Sequence, residues 1–447
     1  MPVELSGEQL RDVLALLQEH DPRGAQDVDS ALQWMGWDRE GAFLLRRSDL
    51  QLFLWYQLPR KWLVERDDHL AAAERLAGFL DRIGGRGSKY AELCRAPETR
   101  EMIDAWSRDD PKAGRRLERL LLDSGVEPPD TSSIAWSDVM GLVEAEIRDR
   151  VRFALEDAIE NGHLELGSRG FGRAQAELVD ATLRAPGPDG STALDAVLDE
   201  RRASWLRGRS PERAAHVAPV APLLSAPPAA PDDAAVRDAV DAVRWMLDEA
   251  TAGGIALTQT GALSRAFVRA AVERRPAWWD TELFGPPHRE EEVGTLETLH
   301  DRLRELRLLR PRGRKLLATA RGKALRDDDA LLLATCVGAP LQGDTFEAAI
   351  AELAYVSVLG AGEADYQALS ASIGPILYAE GWRSDGQAPD AHHITRIVVD
   401  LLHLLGALGV LDERPVRDRE PWRLTAAGRW ALSEGLRARA AGPRRAL

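Results

Sequence analysis

The sequence predicts a mainly α-helical fold whose β-structure is confined to short strands and small hairpins. Three observations lead there. Apolar residues recur at i, i+3, i+4 and i+7 through most of the 447 residues, and little alternates with the period of two that a large sheet needs. Glycines and prolines fall where helices should stop or start. Two C-terminal segments also repeat one another at a shift of 102 positions.

Composition bounds the rest. Hydrophobic residues make up 45% and charged residues 29%, which excludes wholesale disorder. The length suits two to four domains. Cys94 and Cys336 stand in no CxxC or Cys/His spacing, so neither a disulfide framework nor structural zinc is expected, and a reducing cytoplasm is the expected location. The sequence has no apolar run long enough to span a membrane and no signal-peptide pattern at MPVELSGEQLRD. A net charge of -14 argues against non-specific polyanion binding by the whole chain. That charge is uneven: residues 1–200 hold 25 Lys+Arg against 39 Asp+Glu, and residues 201–447 hold 33 of each.

Residues 1–210 read as an acidic helical domain. Ser6 and Gln9 form a capping-box pattern ahead of Leu10, Val13, Leu14 and Leu17 on one helical face. Leu50 to Val64 is the most apolar stretch and predicts a central helix broken at Pro59. Asp68 to Ile83 predicts a helix closed by Gly84-Gly85, and Asp110-Pro111 opens another that runs to Ser124. Ser137 opens a long helix reaching Gly162, and His163 to Leu166 reads as a small strand. The long helix interleaves Glu144, Glu146, Asp149, Glu156, Asp157 and Glu160 with Arg148, Arg150 and Arg152, the pattern of a solvated face. Trp34, Trp37, Trp55, Trp62, Trp106, Trp136 and Trp205 serve either as a recognition surface or as core filling, and core filling is the expectation. Gly84 to Lys89 and Gly167 to Gly172 lack the spacing of phosphate loops and read as turns. Residues 211–234 contain a Pro/Ala-rich run, with six prolines in 211–231, and read as an extended linker. The alternative is an ordered strap anchored by Val217, Val220, Leu223 and Leu224.

The repeat follows. Leu296, Leu299, Leu303, Leu306, Leu308 and Leu309 align with Val398, Leu401, Leu405, Leu408, Val410 and Leu411. Each helix leads into a short apolar piece and a charged turn, Arg310 to Lys315 or Asp412 to Pro421. A Thr-x-x-Gly ending at Gly322 or Gly428 then opens the next helix. Helix, strand, turn, strand and helix in this order describe a winged helix, the hairpin being the wing. Val236 to Glu249 and Ser264 to Glu273 supply the preceding helices of the first unit, residues 235–330. Asp344 to Ser357 and Asp365 to Ile376 supply those of the second, residues 340–440. Both units are therefore expected to be winged-helix-like, in tandem.

Arg302 to Arg326 carries ten Lys+Arg and one acid. Bases placed on a third helix and wing neutralise phosphates and release counterions. The candidate nucleic-acid-binding residues are His300, Arg304 and Arg307 on the helix and Arg310, Arg312, Arg314 and Lys315 on the wing. Against this, Glu297, Asp301 and Glu305 make an acidic stripe on the same helix, and His288 to Glu292 adds acid nearby. The third helix of the second unit, Ile394 to Leu408, is apolar on nearly all sides and suits packing on another body. His392, His393 and His403 lack a completing ligand and read as caps or core.

Residues 257–330, through LTQTGALSRAFVRAAVE, AWWDTELFGPPHREEE and LHDRLRELRLLRPRGRKLLATARGKALRDD, resemble a segment of uncharacterised actinobacterial proteins. In that family the segment often accompanies a plasmid-type open-reading-frame-three domain, which this sequence does not show. LWYQLPRKWL and YAELCRAPET are similar to stretches of other actinobacterial hypothetical proteins. The resemblance implies bacterial origin and transfers no site residues. No catalytic residue, metal or cofactor is expected, and no membrane partner. The leading expectation is a cytoplasmic DNA-binding transcription regulator that holds double-stranded DNA with the first unit. The alternative is an interaction or scaffold protein that docks partners through residues 1–210 or the second unit.

Overall fold

The computed structural model describes residues 3–38, 41–226, 228–412 and 421–444. It is mainly helical, with a few short antiparallel strands. The chain forms two compact units, Met1–Trp136 with Met140–Val197, and Ser137–Val139 with Leu198–Leu447.

The first unit holds two apolar cores. One gathers the helices Gly7–His20, Pro22–Trp34, Arg66–Ile83 and Arg86–Arg95 around Leu50, Phe53, Leu54 and Leu58. The Ser6/Gln9 capping box forms as expected. The central apolar segment is not broken at Pro59. Helix Arg47–Leu52 passes through a widened turn at Phe53–Gln57 into Leu58–Lys61, so Pro59 lies in the first turn of the last piece, where its missing N–H costs little. The second core packs Ile147, Val151 and Leu155 of helix Leu142–Glu160 against Val179 and Leu183 of helix Phe171–Arg184. That long helix starts at Leu142 rather than Ser137, which is buried and accepts a hydrogen bond from the Arg444 N–H. Residues 163–166 form turns rather than a strand. Trp37, Trp55 and Trp136 are core residues, whereas Trp34 is exposed.

The acids of the long helix are not all solvated. Glu156 is buried and accepts hydrogen bonds from the N–H groups of Arg47 and Ser48 and from the Ser48 hydroxyl at 2.6 Å, capping the start of helix Arg47–Leu52. Burial, then repulsion from Glu156, pushes the Asp49 carboxyl up to about 6. A carboxyl with a raised native pKa favours the fold when protonated. Its contribution is full below the ordinary value near 4 and lost as pH rises through 6. Asp49→Asn should therefore stabilise the protein at pH 7.5 by about 1–3 kcal/mol, and the gain in melting temperature should vanish at pH 4.

In the second unit, residues 211–225 do not form an extended linker. They wind into helix Pro211–Val217, a short 3-10 turn and helix Ala221–Ser225. Ser210 caps the first helix, and Val217, Val220 and Leu224 are buried in the unit's main core. Each proline at 211, 219 and 222 sits in the first turn of its helix, where proline is accommodated.

The repeat is visible as structure. The first copy comprises α1 (Asp241–Ala252), β1 (Ile255–Ala256), α2 (Arg265–Arg274), α3 (Gly294–Glu305), β2 (Leu309–Arg312) and β3 (Lys315–Ala318). Its sheet order is β1-β3-β2, all antiparallel. The second copy comprises α4 (Phe346–Ala361), β4 (Glu363–Ala364), α5 (Tyr366–Ala379), α6 (Ala391–Ala407), β5 (Trp422–Arg423) and α7 (Ala426–Ala441). Strand β4 pairs with β5, and a single bridge joins Leu411 to Leu424, matching Leu309 against Ala318. Most of the second charged turn, residues 413–420, lies outside the described residues.

Both copies close with the same lock. The Thr319 side chain accepts from the Gly322 N–H and donates to the Arg307 carbonyl at 2.7 Å; Thr425 accepts from Gly428 and donates to the Gly409 carbonyl at 2.8 Å. A Cβ on Gly322 would collide with the Leu308 carbonyl oxygen, and one on Gly428 with that of Val410. Arg307 and Gly409 are equivalent and both left-handed, at φ 58° and 56°. An arginine there carries a steric cost that glycine avoids. Arg307→Gly should raise unfolding stability by about 1 kcal/mol in denaturant titrations, a gain that few glycine substitutions give.

Candidate nucleic-acid interface

The seven candidate residues do not form one surface. His300 is only 3% exposed. Its Nδ1 lies 2.6 Å from Glu290 Oε1, and the other Glu290 oxygen accepts from the Leu263 N–H. His300 is therefore a core residue, tying α3 to the loop before it, and cannot contact phosphate. The reason is register: it follows Leu296 and Leu299 on the buried side of α3.

The acidic loop changes role for the same reason. Glu290 is buried with His300. Glu292 accepts from the His288 N–H at 2.7 Å, and these backbone bonds hold its carboxyl below the usual range. Glu291 pairs with Arg289 at 3.0 Å. Charge counting did not separate these structural acids from solvated ones. The signal available was Glu290 preceding a buried-face histidine by ten residues, which no local pattern marks.

The apolar side of α3 packs against α6 of the second copy, with Leu296, Leu299 and Leu303 in the same core as Val398, Leu401 and Leu405. Gly294 makes the approach close: a Cβ there would stand 2.9 Å from the His403 ring. Desolvation holds the His403 pKa down, opposed by Asp400. The apolar third helix of the second copy is thus spent on the first copy. The outward side of α3 presents Glu297, Asp301, Arg304 and Glu305. Arg304 lies 3.8 Å from Asp301, and Arg302 is paired with Glu305 at 2.8 Å. Burial, then repulsion from Glu290 and Asp301, raises the Glu297 pKa.

The hairpin is different. Its two-residue turn carries Gly313 at φ 61°, followed by Arg314. Such turns match the twist of paired strands. The register sets Leu309 opposite Ala318 and Pro311 opposite Leu316, with Leu309 and Leu316 buried. Alternation puts Arg310, Arg312 and Lys315 on the other face, with Arg312 directly opposite Lys315. All three are exposed, as is Arg314 at the tip. The Lys315 ammonium donates to the Gly253 carbonyl at 2.8 Å. Among the described residues, Arg310, Arg312 and Arg314 have no carboxylate in ion-pair range. Like charges directly across a ladder destabilise it, so this face stores repulsion that an anion would relieve. Arg307 is also exposed, at the foot of the hairpin.

Fold and surface together define a mainly α-helical protein with a repeated helix–strand–helix–helix unit and, among the described residues, a basic hairpin in its first copy. Residues 237–331 match the family model of the Y4jL N-terminal domain, which spans the whole first copy. No curated protein and no solved structure matches the chain. Among the described residues, no helix is long and apolar enough to cross a membrane.

The buried His300–Glu290 pair yields a separable outcome. His300→Ala strands a buried carboxylate and should cost about 2–4 kcal/mol by chemical denaturation. The residual folded protein should keep whatever nucleic-acid affinity the wild type has.

Proposed function

We propose that this chain is a DNA-binding regulatory protein that grips the phosphate backbone of a duplex with hairpin β2–β3 of a winged-helix-like unit. The observation that supports this reading is the outward hairpin face, where Arg310, Arg312 and Lys315 sit together beside Arg314 with their arginines unpaired by carboxylates among the described residues. Insertion of α3 into the major groove is the less favoured mode. One side of that helix is buried on α6, and its outward side is mostly acidic.

A hairpin that contacts phosphates positions a protein on DNA without reading bases, so binding is weakly sequence-dependent and strongly salt-dependent. The overall charge of -14 adds long-range repulsion, which confines contact to the hairpin.

Fluorescence anisotropy of the full chain with a labelled duplex, across a salt series, tests this. Wild type should bind with a log–log salt slope of about -2 to -4, and Arg310→Ala/Arg312→Ala/Arg314→Ala should reduce that slope by about 2–3. Absence of salt-sensitive binding, or a triple variant identical to wild type, overturns the reading and leaves the protein-docking alternative.

A further inference from the structure

The acid-free neighbourhood of the basic hairpin is wider than the hairpin itself. Residues 306–326 contain no Asp or Glu, and neither do residues 250–272. The sheet brings these two segments together. Strand β1 runs antiparallel to β3, with Ile255 opposite Leu316 and Ala256 opposite Lys315, so the chain leaving β1 emerges at the end of the sheet where the hairpin turns. The Leu257 N–H donates to the Arg314 carbonyl at 2.9 Å, which ties that chain to the hairpin tip.

A second turn follows at once. Leu257 bridges to Leu263, the Thr258 N–H donates to the Ala262 carbonyl at 2.8 Å, and the Gly261 N–H donates to the Thr258 carbonyl at 3.2 Å. Leu257 and Leu263 are buried and hold the base of the turn, while Gln259 and Thr260 are exposed at its tip. Gly261 supplies the left-handed residue, at φ 90°, that turns the chain back. The tip offers neutral donors. The Thr258 and Thr260 hydroxyls lie 3.0 Å apart, Gln259 adds a side-chain amide, and the N–H groups of Gln259 and Thr260 have no acceptor among the described residues.

The returning chain extends the sheet. The Ser264 N–H donates to the Ala256 carbonyl at 2.9 Å, so Ser264, Ala256, Lys315 and Arg312 stand in a row across it. At about 4.8 Å between strands the row is about 14 Å long, more than the rise of one nucleotide in a duplex. Arg265 comes next in the chain and opens α2. It is exposed, with no carboxylate in ion-pair range among the described residues. Glu290 does reach this turn, accepting from the Leu263 N–H, but it is buried with His300. A cationic turn and a turn of neutral donors therefore share one end of the sheet, and phosphate oxygens accept from both kinds of group.

We infer that the turn Thr258–Ala262 and Arg265 form a second phosphate-gripping element beside the hairpin, with Gln259 and Thr260 donating hydrogen bonds and Arg265 neutralising charge. This rests on the reading of hairpin β2–β3 as the duplex-binding element and gives that site three further contact residues. The two kinds of contact respond differently to salt. A guanidinium on phosphate releases counterions, whereas a hydroxyl or amide does not.

Anisotropy titrations of the full chain with a labelled duplex, across a salt series, separate them. Arg265→Ala should reduce the log–log salt slope by about 1, and Arg265→Lys should leave it unchanged. Gln259→Ala/Thr260→Val should weaken binding about three- to tenfold at every salt concentration, with the wild-type slope retained. These side chains are exposed, so the melting temperatures should match wild type. If Arg265→Ala or the Gln259/Thr260 double variant binds as wild type does, while the hairpin triple variant loses slope, the second element is overturned and the hairpin reading stands. Absence of salt-sensitive binding by wild type overturns both.

Discussion

The packing of α3 against α6 is the constraint on which the second unit depends. In each copy the third helix carries an apolar stripe. Placing the two stripes together buries Leu296, Leu299 and Leu303 against Val398, Leu401 and Leu405. Each such side chain contributes about 2 kcal/mol on burial. Gly294 permits the approach by leaving space for the His403 ring. A helix held this way has only its outward side left, and that side is mostly acidic. On the hairpin, strand alternation lifts Arg310, Arg312 and Lys315 onto the outward face.

The two copies share one backbone frame and differ in the side chains it carries. Both keep the Thr-x-x-Gly lock, the left-handed residue before the hairpin and the close approach of a helical glycine to a carbonyl. These features fix the backbone of the hairpin base and tolerate little change. At the left-handed position the second copy has Gly409, whose Cβ would meet the Ala239 backbone, whereas the first copy carries an exposed Arg307. The first copy can therefore place a positive charge where the second cannot.

Much of this architecture was legible in the sequence because it rests on local rules. Helical spacing, capping by Ser6, Thr319 and Thr425, and the 102-residue repeat each depend on residues a few positions apart. What escaped was set by distant partners. His300 looked like a surface base because four arginines follow it within ten residues, yet its register and Glu290 bury it. Glu156 looked solvated among alternating charges, yet it caps a helix more than a hundred positions away. The prolines of residues 211–231 suggested extended chain, because composition does not reveal that Pro211, Pro219 and Pro222 each lie in the first turn of a helix. Within the basic strip, charge counting could not distinguish Arg302, paired with Glu305, from Arg312, whose strand register sets it facing outward.

We propose that the hairpin, and not the third helix, forms the charged contact surface. Hydrogen–deuterium exchange of the full chain with and without duplex DNA measures this at the backbone. Exchange should slow in residues 309–318 on adding DNA, with residues 297–305 unchanged. Protection confined to residues 297–305, with the hairpin unaffected, would contradict it.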